Sequence, residues 1–386
     1  MMKTFIIKNS LLCDHRGKQQ NDIQIENGKI TRIAPRIDGE NILDTSSCIL
    51  LPACIDLNIR TKNDTQKGLQ NLEKKAITGG VGTIALSTQA KSLELFKFFN
   101  TQSPVSFLPS IIPYIQGKIQ EVSQLHNNGS VALSLDTSIP SEALICLYKY
   151  AKMLSLPCLC SFFSEGANIQ SEMSYQMGLS GISEYIEKMD FSRLIPLIEN
   201  IQIPTLFQAL SNFSLFEDIQ SYPLIQGEVS IHHLLLNEEK IQGYNTWAKL
   251  KPPLSTKQTQ QKFLREIHKV DMFTSLHREF SQSSKEQTFE DADFGVDCLE
   301  FYFPLLFTEL VKTHHLSLEE LSAKTAFNQA QFLKLNQGEI EVGREASLIL
   351  INPNESFELS HPLYGEKKLF GKIKAFISPR FGFQKV

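Results

Sequence analysis

Residues 64–87 read DTQKGLQNLEKKAITGGVGTIALS, and this stretch decides the fold class of the chain. Asp64 and Thr65 have side chains that cap the N-terminus of a helix, and Gly79-Gly80 suits the left-handed backbone that often ends one. Residues 83–87, Thr-Ile-Ala-Leu-Ser, then have the composition of a buried strand. The stretch therefore predicts one helix followed by one strand.

The same alternation continues along most of the middle of the chain. Further short strands are predicted at residues 131–135, 157–160, 205–207, 228–231 and 272–275, with helices that include 141–153 and 259–269. Alternating strands and helices indicate a parallel sheet, and 386 residues favour a closed (β/α)₈ barrel of the TIM type. An open doubly wound sheet remains an alternative, because no glycine-rich fingerprint decides between the two.

Both chain ends are rich in strands. Asn27-Gly28 lies between runs that alternate at period two, which is a strong hairpin signal. Residues 347–351 and 372–377 have the same strand pattern at the other end of the chain. We therefore expect the two ends to pair with each other in one small β domain.

Composition excludes several classes of protein. The 38 Lys+Arg and 42 Asp+Glu give a net charge of -4, which argues against nucleic acid or an anionic membrane as the main partner. No apolar run has the length of a membrane-spanning helix, and the N-terminus lacks a signal-peptide pattern. The seven Cys are scattered through apolar segments, as expected for reduced thiols. We expect a cytoplasmic protein.

Short motifs reveal no catalytic constellation. The nine His include no His-x-His pair, and there is neither a Gly-x-Ser-x-Gly elbow nor a Walker loop. His232-His233 follows a predicted strand, where adjacent side chains would point to opposite faces, so one of them is expected to be a hydrogen-bonded core residue. Cys158 and Cys160 would share one strand face, and we interpret them as two small buried side chains.

Several stretches, in the same order along the chain, resemble the longer bacterial dihydroorotases of the amidohydrolase superfamily. They are residues 51–57, 74–84, 150–157, 178–182, 228–236 and 249–254, then Phe294-Gly295 with Leu299-Glu300, and residues 327–330. The resemblance covers nearly the whole chain. It implies a (β/α)₈ barrel of the amidohydrolase type over residues 51–337, and a small β-sandwich built from residues 1–50 and 338–386.

The resemblance also implies that the metal ligands of active dihydroorotases are replaced here. The family's Asp-x-His-x-His after the first barrel strand corresponds to Asp56-Leu-Asn-Ile-Arg60, and the Arg that grips the substrate carboxylate corresponds to Lys62. The match in the fourth strand is ambiguous by one residue, between Leu135 and Asp136. The positions of the metal ligands and of the catalytic Asp are then occupied by Asn58, Arg60, Leu135, Ser161, Ala209 and Leu276.

These replacements remove the chemistry. Zn²⁺ needs imidazole, thiolate or carboxylate donors, and its bound hydroxide attacks the ring amide of dihydroorotate. The guanidinium of Arg60 offers no lone pair, and Leu276 cannot pass a proton to the leaving nitrogen. We therefore expect no catalytic residue, no metal site and no cofactor, and a catalytically inactive homologue rather than an enzyme. By resemblance, such homologues assemble with aspartate carbamoyltransferase of pyrimidine biosynthesis, which implies that partner and a homo- or hetero-oligomer.

Two alternatives stay open. One is an active zinc-dependent dihydroorotase, or a related cyclic amidohydrolase, that uses an altered site with His277, Asp136, His232 or His233. The other is a module that binds a pyrimidine precursor without turnover, with Lys62, Arg60 and Arg278 as anion donors. The competing interpretation of these three residues is that they pair with Glu279 or face solvent. Residual ligand binding is thus expected, if anywhere, at Lys62, His277 and Arg278.

Overall fold

The computed structural model describes residues 4–62, 64–89, 92–162 and 166–386. Its first strands are β1 (Phe5–Lys8), β2 (Leu11–Asp14), β3 (Gly17–Gln20), β4 (Asp22–Glu26), β5 (Lys29–Ala34), β6 (Ile42–Asp44) and β7 (Ile49–Pro52). The predicted hairpin is β4–β5, which turns at Asn27 and Gly28, both with positive φ. A Cβ on Gly28 would overlap the carbonyl of Pro379, so this turn also needs glycine for space.

Eight parallel strands form the barrel. They are β8 (Cys54–Ile59), β9 (Val81–Thr88), β10 (Ser106–Ile111), β13 (Ala132–Asp136), β14 (Cys158–Ser161), β17 (Thr205–Gln208), β18 (Ile225–Ser230) and β19 (Met272–Thr274), paired in chain order. The two edges meet just beyond β8 and β19, where Arg60 N donates to His277 O at 3.1 Å and Glu279 N donates to Arg60 O at 3.4 Å. The predicted barrel is confirmed, and the open sheet is excluded. The two-residue strands β11 (Tyr114–Ile115), β12 (Lys118–Ile119), β15 (Asn168–Ile169) and β16 (Gly181–Ile182) form two small separate pairs.

Helices alternate with the barrel strands. They are α1 (Gln66–Thr78), α2 (Leu93–Asn100), α3 (Val122–Asn127), α4 (Ser141–Leu154), α5 (Glu172–Met177), α6 (Tyr185–Ile201), α7 (Ser214–Ile219), α8 (Ile231–Leu235), α9 (Lys257–Arg265), α10 (Gln282–Lys285), α11 (Tyr302–Leu306), α12 (Leu318–Ser322) and α13 (Asn328–Leu333). Helix α1 begins as predicted, because Thr65 Oγ1 accepts from Gly68 N at 3.1 Å. It ends before Gly80, whose φ is +78°. None of the helices in the described ranges combines the length and apolarity needed to cross a membrane.

The two chain ends build a β-sandwich together. Strands β20 (Leu348–His361), β21 (Gly365–Ser378) and β22 (Gly382–Lys385) join β7, β2 and β3 in one six-stranded sheet, and β7 pairs antiparallel with β20. The other sheet has the order β5-β4-β1-β6. Apolar residues from both ends share one core, among them Ile7, Ile23, Leu50, Leu348 and Ile377. The predicted pairing of the ends is confirmed, while the proposed boundaries at residues 50 and 338 stay a prediction.

Candidate functional site

A cavity of about 230 Å³ opens at the C-terminal ends of the barrel strands, where barrel enzymes place their sites. Residues that are far apart in the sequence meet on its wall: Asn58, Arg60, Ser161, Ala209, Leu276 and Arg278. Much of the remaining wall is apolar, with Phe162, Leu250, Pro252 and Phe294. The cavity therefore combines the two guanidinium groups and the ammonium group of Lys251 with amide, hydroxyl and apolar surface.

Leu135 does not line this cavity, and its assignment to a ligand position is wrong. Leu135 belongs to the cluster that packs the barrel against its helices, whereas Ser134, the next residue along β13, bonds to Ser87 inside the barrel at 2.8 Å. Because strand side chains alternate, Asp136 is the inward residue, and it lies in register with Ser161. Its carboxylate accepts hydrogen bonds from the amide and hydroxyl of Ser138.

Arg278 and Asn58 are joined by hydrogen bonds at the floor of the cavity. The Arg278 guanidinium donates to Asn58 O at 2.8 Å, to Asn58 Oδ1 at 2.7 Å and to His277 O at 2.9 Å. Arg278 therefore neither pairs with Glu279 nor faces open solvent. Burial, together with the neighbouring charge of Arg60, lowers the pKa of Arg278 to about 9.

Two buried carboxyl groups lie beside this pair. Asp56 accepts from Asn58 N at 3.0 Å, Thr274 Oγ1 at 2.6 Å and Ser275 N at 2.8 Å. Glu228 Oε1 accepts from Asn58 Nδ2 at 2.9 Å, while its Oε2 has no hydrogen-bond partner among the described residues. Burial, and then the charge of Asp56, raises the pKa of Glu228 to about 8, so this carboxyl group is largely protonated at neutral pH.

Glu228 and Gln208 are site residues that sequence reasoning missed. Glu228 could have been found from the sequence, because it is an acidic residue in an otherwise apolar predicted strand. It also lies in residues 228–236, one of the stretches that resemble dihydroorotases. Gln208 Oε1 accepts from Ser161 Oγ at 3.2 Å, and its Nε2 donates to Leu57 O at 2.7 Å. Gln208 thus bridges the barrel from β14 and β17 to β8, next to Ala209.

Backbone strain concentrates on the same cavity. Ala209 has φ of 52° and Leu276 has φ of 50°, in the left-handed region that side chains other than glycine rarely adopt. Ala209 directly follows β17, Leu276 lies two residues beyond the end of β19, and both line the cavity. Strained backbone of this kind is typical of sites at which the surrounding fold fixes an unusual direction of the chain.

His277 and Lys62, expected as residual ligand-binding residues, do not line the cavity. The His277 imidazole is fully buried, and its Nδ1 accepts from Cys298 N at 3.3 Å and lies 3.5 Å from Asp297 Oδ1. Burial lowers the pKa of His277 to about 4, so the ring is neutral. Lys62 instead lines shallow surface hollows, one of them shared with Glu279. Of the three expected residues, the cavity contains only Arg278.

His232 and His233 lie in the short helix α8, so the prediction of an extended segment is wrong. Both side chains are fully buried. His232 Nδ1 lies 2.7 Å from the Tyr364 hydroxyl, and His233 lies 2.7 Å from Ser230 Oγ and 3.0 Å from Pro253 O. Burial lowers the pKa of both, for His233 to about 4. The hydrogen-bonded core role that was expected for one imidazole applies to both.

Cys158 and Cys160 are fully buried on β14, within the main apolar cluster. Burial raises the pKa of both thiols well above the ordinary value, which leaves them protonated. This agrees with their interpretation as small core side chains and gives them no nucleophilic role.

The wall segment that includes Phe294 and Gly295 is anchored by two buried lysines. Lys249 Nζ donates to Glu290 O at 2.7 Å and to Ala292 O at 2.8 Å, and it lies 4.5 Å from the centre of the Phe294 ring. Lys285 Nζ donates to Thr246 O at 3.1 Å and to Asp293 O at 2.7 Å. These bonds fix the polar stretch from residue 281 to 293 against the residues around Thr246.

The donor set of the cavity does not fit a zinc ion. Throughout residues 4–62, 64–89, 92–162 and 166–386, no group of three or more His, Cys, Asp or Glu side chains could hold a metal. The described wall of the cavity contains none of these four residue types. It presents two guanidinium groups, which have no lone pair to donate and would repel a dication.

Comparisons with known proteins agree with this architecture. A protein of Helicobacter pylori named probable dihydroorotase-like protein is 28% identical, over 96% of each chain. A dihydroorotase of Carboxydothermus hydrogenoformans is 26% identical, over 96% of this chain and 92% of its own. No family model matches the chain.

Among solved structures, the L-hydantoinase (dihydropyrimidinase) of Arthrobacter aurescens superposes with a TM-score of 0.84, over 98% of this chain and 95% of its own, at 17% identity. At that identity the similarity concerns the fold. The resemblance to dihydroorotases that the sequence predicted is confirmed by the named homologues, and the barrel with its terminal sandwich is confirmed by the hydantoinase fold.

Proposed function

We propose that this dihydroorotase-like chain of the amidohydrolase superfamily has a role without catalysis. It is an inactive homologue that serves as a structural or regulatory partner of aspartate carbamoyltransferase in de novo pyrimidine biosynthesis. One observation supports the inactivity. The residues at the strand ends meet in a single cavity, and the described side chains on its wall include no His, Cys, Asp or Glu, the residue types that bind zinc.

Hydrolysis of a ring amide needs an activated water and a group that protonates the leaving nitrogen. Leu276, at the position expected for that group, has no proton to give. His277 lies next in the chain, but its ring is buried away from the cavity wall. Asp136 is inward-facing, but its carboxylate is bonded to Ser138. None of these three side chains is placed to act on a ligand in the cavity.

The chain keeps the fold that supports the site, although the site lacks the groups that catalysis would need. The barrel, its helices and the terminal sandwich are complete enough to superpose on a hydantoinase over 98% of the chain. Because function depends on the site and not on the fold, such a scaffold can keep its partner surfaces after the site has lost its donors. The similarity to proteins named dihydroorotase supports the proposal of a role in pyrimidine biosynthesis.

Inactivity is tested by a turnover assay on the purified chain. Dihydroorotate is supplied with and without added zinc, and wild type is compared with His277→Ala. We expect no hydrolysis above the uncatalysed rate in any of these samples. Hydrolysis by wild type that requires zinc and disappears in His277→Ala would establish instead the active, altered enzyme.

The partner is tested by size-exclusion chromatography with light scattering. The chain is mixed with aspartate carbamoyltransferase of the same organism, and carbamoyltransferase activity is followed across the peaks. We expect a mixed complex with raised or newly acquired activity. Two independent peaks with unchanged activity would refute the partnership and leave the conclusion on inactivity untouched.

A further inference from the structure

Helix α4 has one face that packs on the barrel and an opposite face that is open to solvent. The open face carries Ile145 and Met153, whose side chains are 41% and 63% exposed, and the exposed thiol of Cys146. The outer face of a barrel helix is expected to be polar, because it contacts only water. A stripe of exposed apolar side chains instead marks a surface that another molecule covers.

Helix α6 extends this surface. It packs beside α4, and its Tyr185 and Met189, one helical turn apart, are 62% and 65% exposed. Tyr150 adds another exposed ring on α4. We call the exposed side of these two helices the α4–α6 face. Aromatic residues and methionine are enriched where two proteins meet, so the composition of this face is typical of a protein interface.

Two opposite charges lie within the apolar stripe of α4. Glu142 and Lys149 are both exposed, and neither forms a salt bridge or a side-chain hydrogen bond with any residue of the ranges 4–62, 64–89, 92–162 and 166–386. They are seven residues apart, so they lie along one line of the helix, about 10 Å from each other. A partner with a purely apolar surface would bury both charges unpaired, which is costly. The face therefore suits a partner that presents both charges at the same spacing.

A second copy of this chain has that spacing. When two α4 helices cross antiparallel about a two-fold axis between residues 145 and 146, residue 142 of each copy lies opposite residue 149 of the other. Both charges are then paired, once on each side of the axis. The apolar side chains near the axis bury one another and drive the association, while the two ion pairs fix its register.

We propose that two copies of this chain pair through the α4–α6 face, as a symmetric dimer in which Glu142 of each copy binds Lys149 of the other. The dimer needs neither aspartate carbamoyltransferase nor a ligand in the barrel, so it is independent of the proposed function. A two-fold dimer presents two copies of every remaining surface, and one dimer can therefore join two molecules of a partner.

Charge exchange tests both the face and its register. Size-exclusion chromatography with light scattering is run on full-length wild type, Glu142→Lys, Lys149→Glu and the double variant, after circular dichroism has shown that each is folded. We expect wild type to have twice the mass of one chain at micromolar concentration. Each single variant should dissociate at least about tenfold more readily, because like charges then meet twice across the axis. The double variant restores both pairs with exchanged signs and should recover the dimer.

Glu40→Lys is the matched control, a charge reversal at an exposed residue between β5 and β6, and it should behave as wild type does. A monomeric wild type, a dimer that neither single variant weakens, or a double variant as weak as the single ones would each overturn the proposal.

Cys146 provides an independent readout. It is exposed, whereas the other six cysteines are buried or half-buried. Because packed helices lie about 8–10 Å apart, the two Cys146 thiols beside the axis are expected within about 10 Å of each other. A short bis-maleimide should therefore link two copies, and Cys146→Ser should abolish the linked band in denaturing electrophoresis.

A wild-type dimer that the reagent does not link would show that another face forms the dimer. A monomeric wild type whose Cys146 becomes protected from a maleimide only when aspartate carbamoyltransferase is added would also overturn the proposal, and it would assign the α4–α6 face to that protein.

Discussion

Asn58 connects Asp56, Glu228 and Arg278 at the floor of the cavity. Its backbone N–H donates to Asp56, its side-chain amide donates to Glu228, and its oxygens accept from Arg278. The amide at residue 58 and the guanidinium at residue 278 are therefore a matched pair, which together fill the space at the end of β8.

The protonated state of Glu228 predicts a pH dependence. Its pKa is raised from 4.5 to about 8, so between these values the folded chain holds a proton that the unfolded chain has released. The associated stability is full below pH 4.5 and is lost as the pH rises through 8. Glu228→Gln keeps an oxygen for Asn58 and cannot ionise. We expect it to raise the free energy of unfolding by about 4 kcal/mol at pH 8 and by only about 1 kcal/mol at pH 5.

Urea denaturation of wild type and Glu228→Gln at both pH values measures this difference. The exposed Glu199→Gln is the control and should leave the pH profile of wild type unchanged. If the profiles of wild type and Glu228→Gln run parallel from pH 5 to 8, then Glu228 is ionised in the folded chain and the interpretation of the cavity floor is wrong.

At the residue scale, the sequence indicated which strand ends would meet, but not how the side chains bond there. Asn58 and Ser161 lie at the C-terminal ends of β8 and β14, and Arg60 and Leu276 lie just beyond β8 and β19. The C-terminal ends of parallel strands converge. The position of Asp136 against Leu135 needed the observed alternation of β13. Buried partners such as Gln208 depend on distances across the barrel, which a local sequence pattern does not contain.

Among the elements, the segment after β19 determines the shape of the cavity. It places Leu276 and Arg278 on the wall and then returns at Phe294 and Gly295. Gly295 N donates to Lys249 O at 3.0 Å, so this return is fixed to the segment that follows α8. The shape of the wall therefore depends on two contacts. The backbone at Gly295 passes close to Arg278, and the ammonium groups of Lys249 and Lys285 donate to backbone carbonyl groups.

Gly295 lets the return segment pass beside Arg278. Its φ is +122°, and an added Cβ would overlap Arg278 Cβ and lie 2.9 Å from Arg278 Cγ. We expect Gly295→Ala to lower the free energy of unfolding by about 2–4 kcal/mol, because backbone strain and a clash with a fixed side chain add together. Chemical denaturation measures the loss.

Gly243→Ala is the matched control for this variant. Gly243 also has a positive φ, +73°, but no atom lies within 4 Å of the added Cβ. Its free energy of unfolding should fall only by the cost of the backbone strain, about 1 kcal/mol. Equal losses in the two variants would show that contact with Arg278 plays no part.

Because Lys249 and Lys285 anchor residues 281–293, we expect this segment to resist proteolysis. Glu286 and Glu290 lie in the segment that Lys285 and Lys249 anchor, so a glutamate-specific protease can report its opening. Lys285→Ala removes two charge-assisted hydrogen bonds, and we expect cleavage in this segment to become about tenfold faster or more. The surface variant Lys257→Ala should be cleaved at the wild-type rate. An unchanged rate in Lys285→Ala would mean that the anchor lies elsewhere.

Elements with strong periodicity were predictable, and those shaped by tertiary contact were not. Helix α1 and the β4–β5 hairpin have caps and turn residues that act locally, and both form as expected. Helix α8 begins where Ser230 caps it through His233 N, in a stretch that continues the apolar pattern of β18. The continuous apolar pattern predicted that His232 and His233 extend the strand. The hydrogen bond from His233 N to Ser230 Oγ instead caps a helix that begins there.

On the scale of the whole molecule, the barrel and the sandwich depend on contacts between the chain ends. The pairing of β7 with β20 joins residues near 50 to residues near 350, and Arg16 donates to Ile340 O at 2.9 Å from the N-terminal side. The order of elements predicted this architecture because a parallel barrel requires its strands in sequence. A local sequence pattern does not predict a partner surface, since such a surface combines exposed residues from several elements.

The most direct test of the proposed inactivity is metal binding. The purified chain is stripped with a chelator and dialysed to equilibrium against micromolar zinc, beside a known zinc enzyme treated in the same way, and bound metal is measured by atomic emission. We predict far less than one zinc per chain, together with no effect of zinc on thermal stability. One tightly bound zinc per chain, with a rise in thermal stability that Arg60→Gln or Arg278→Gln alters, would contradict the account at its centre.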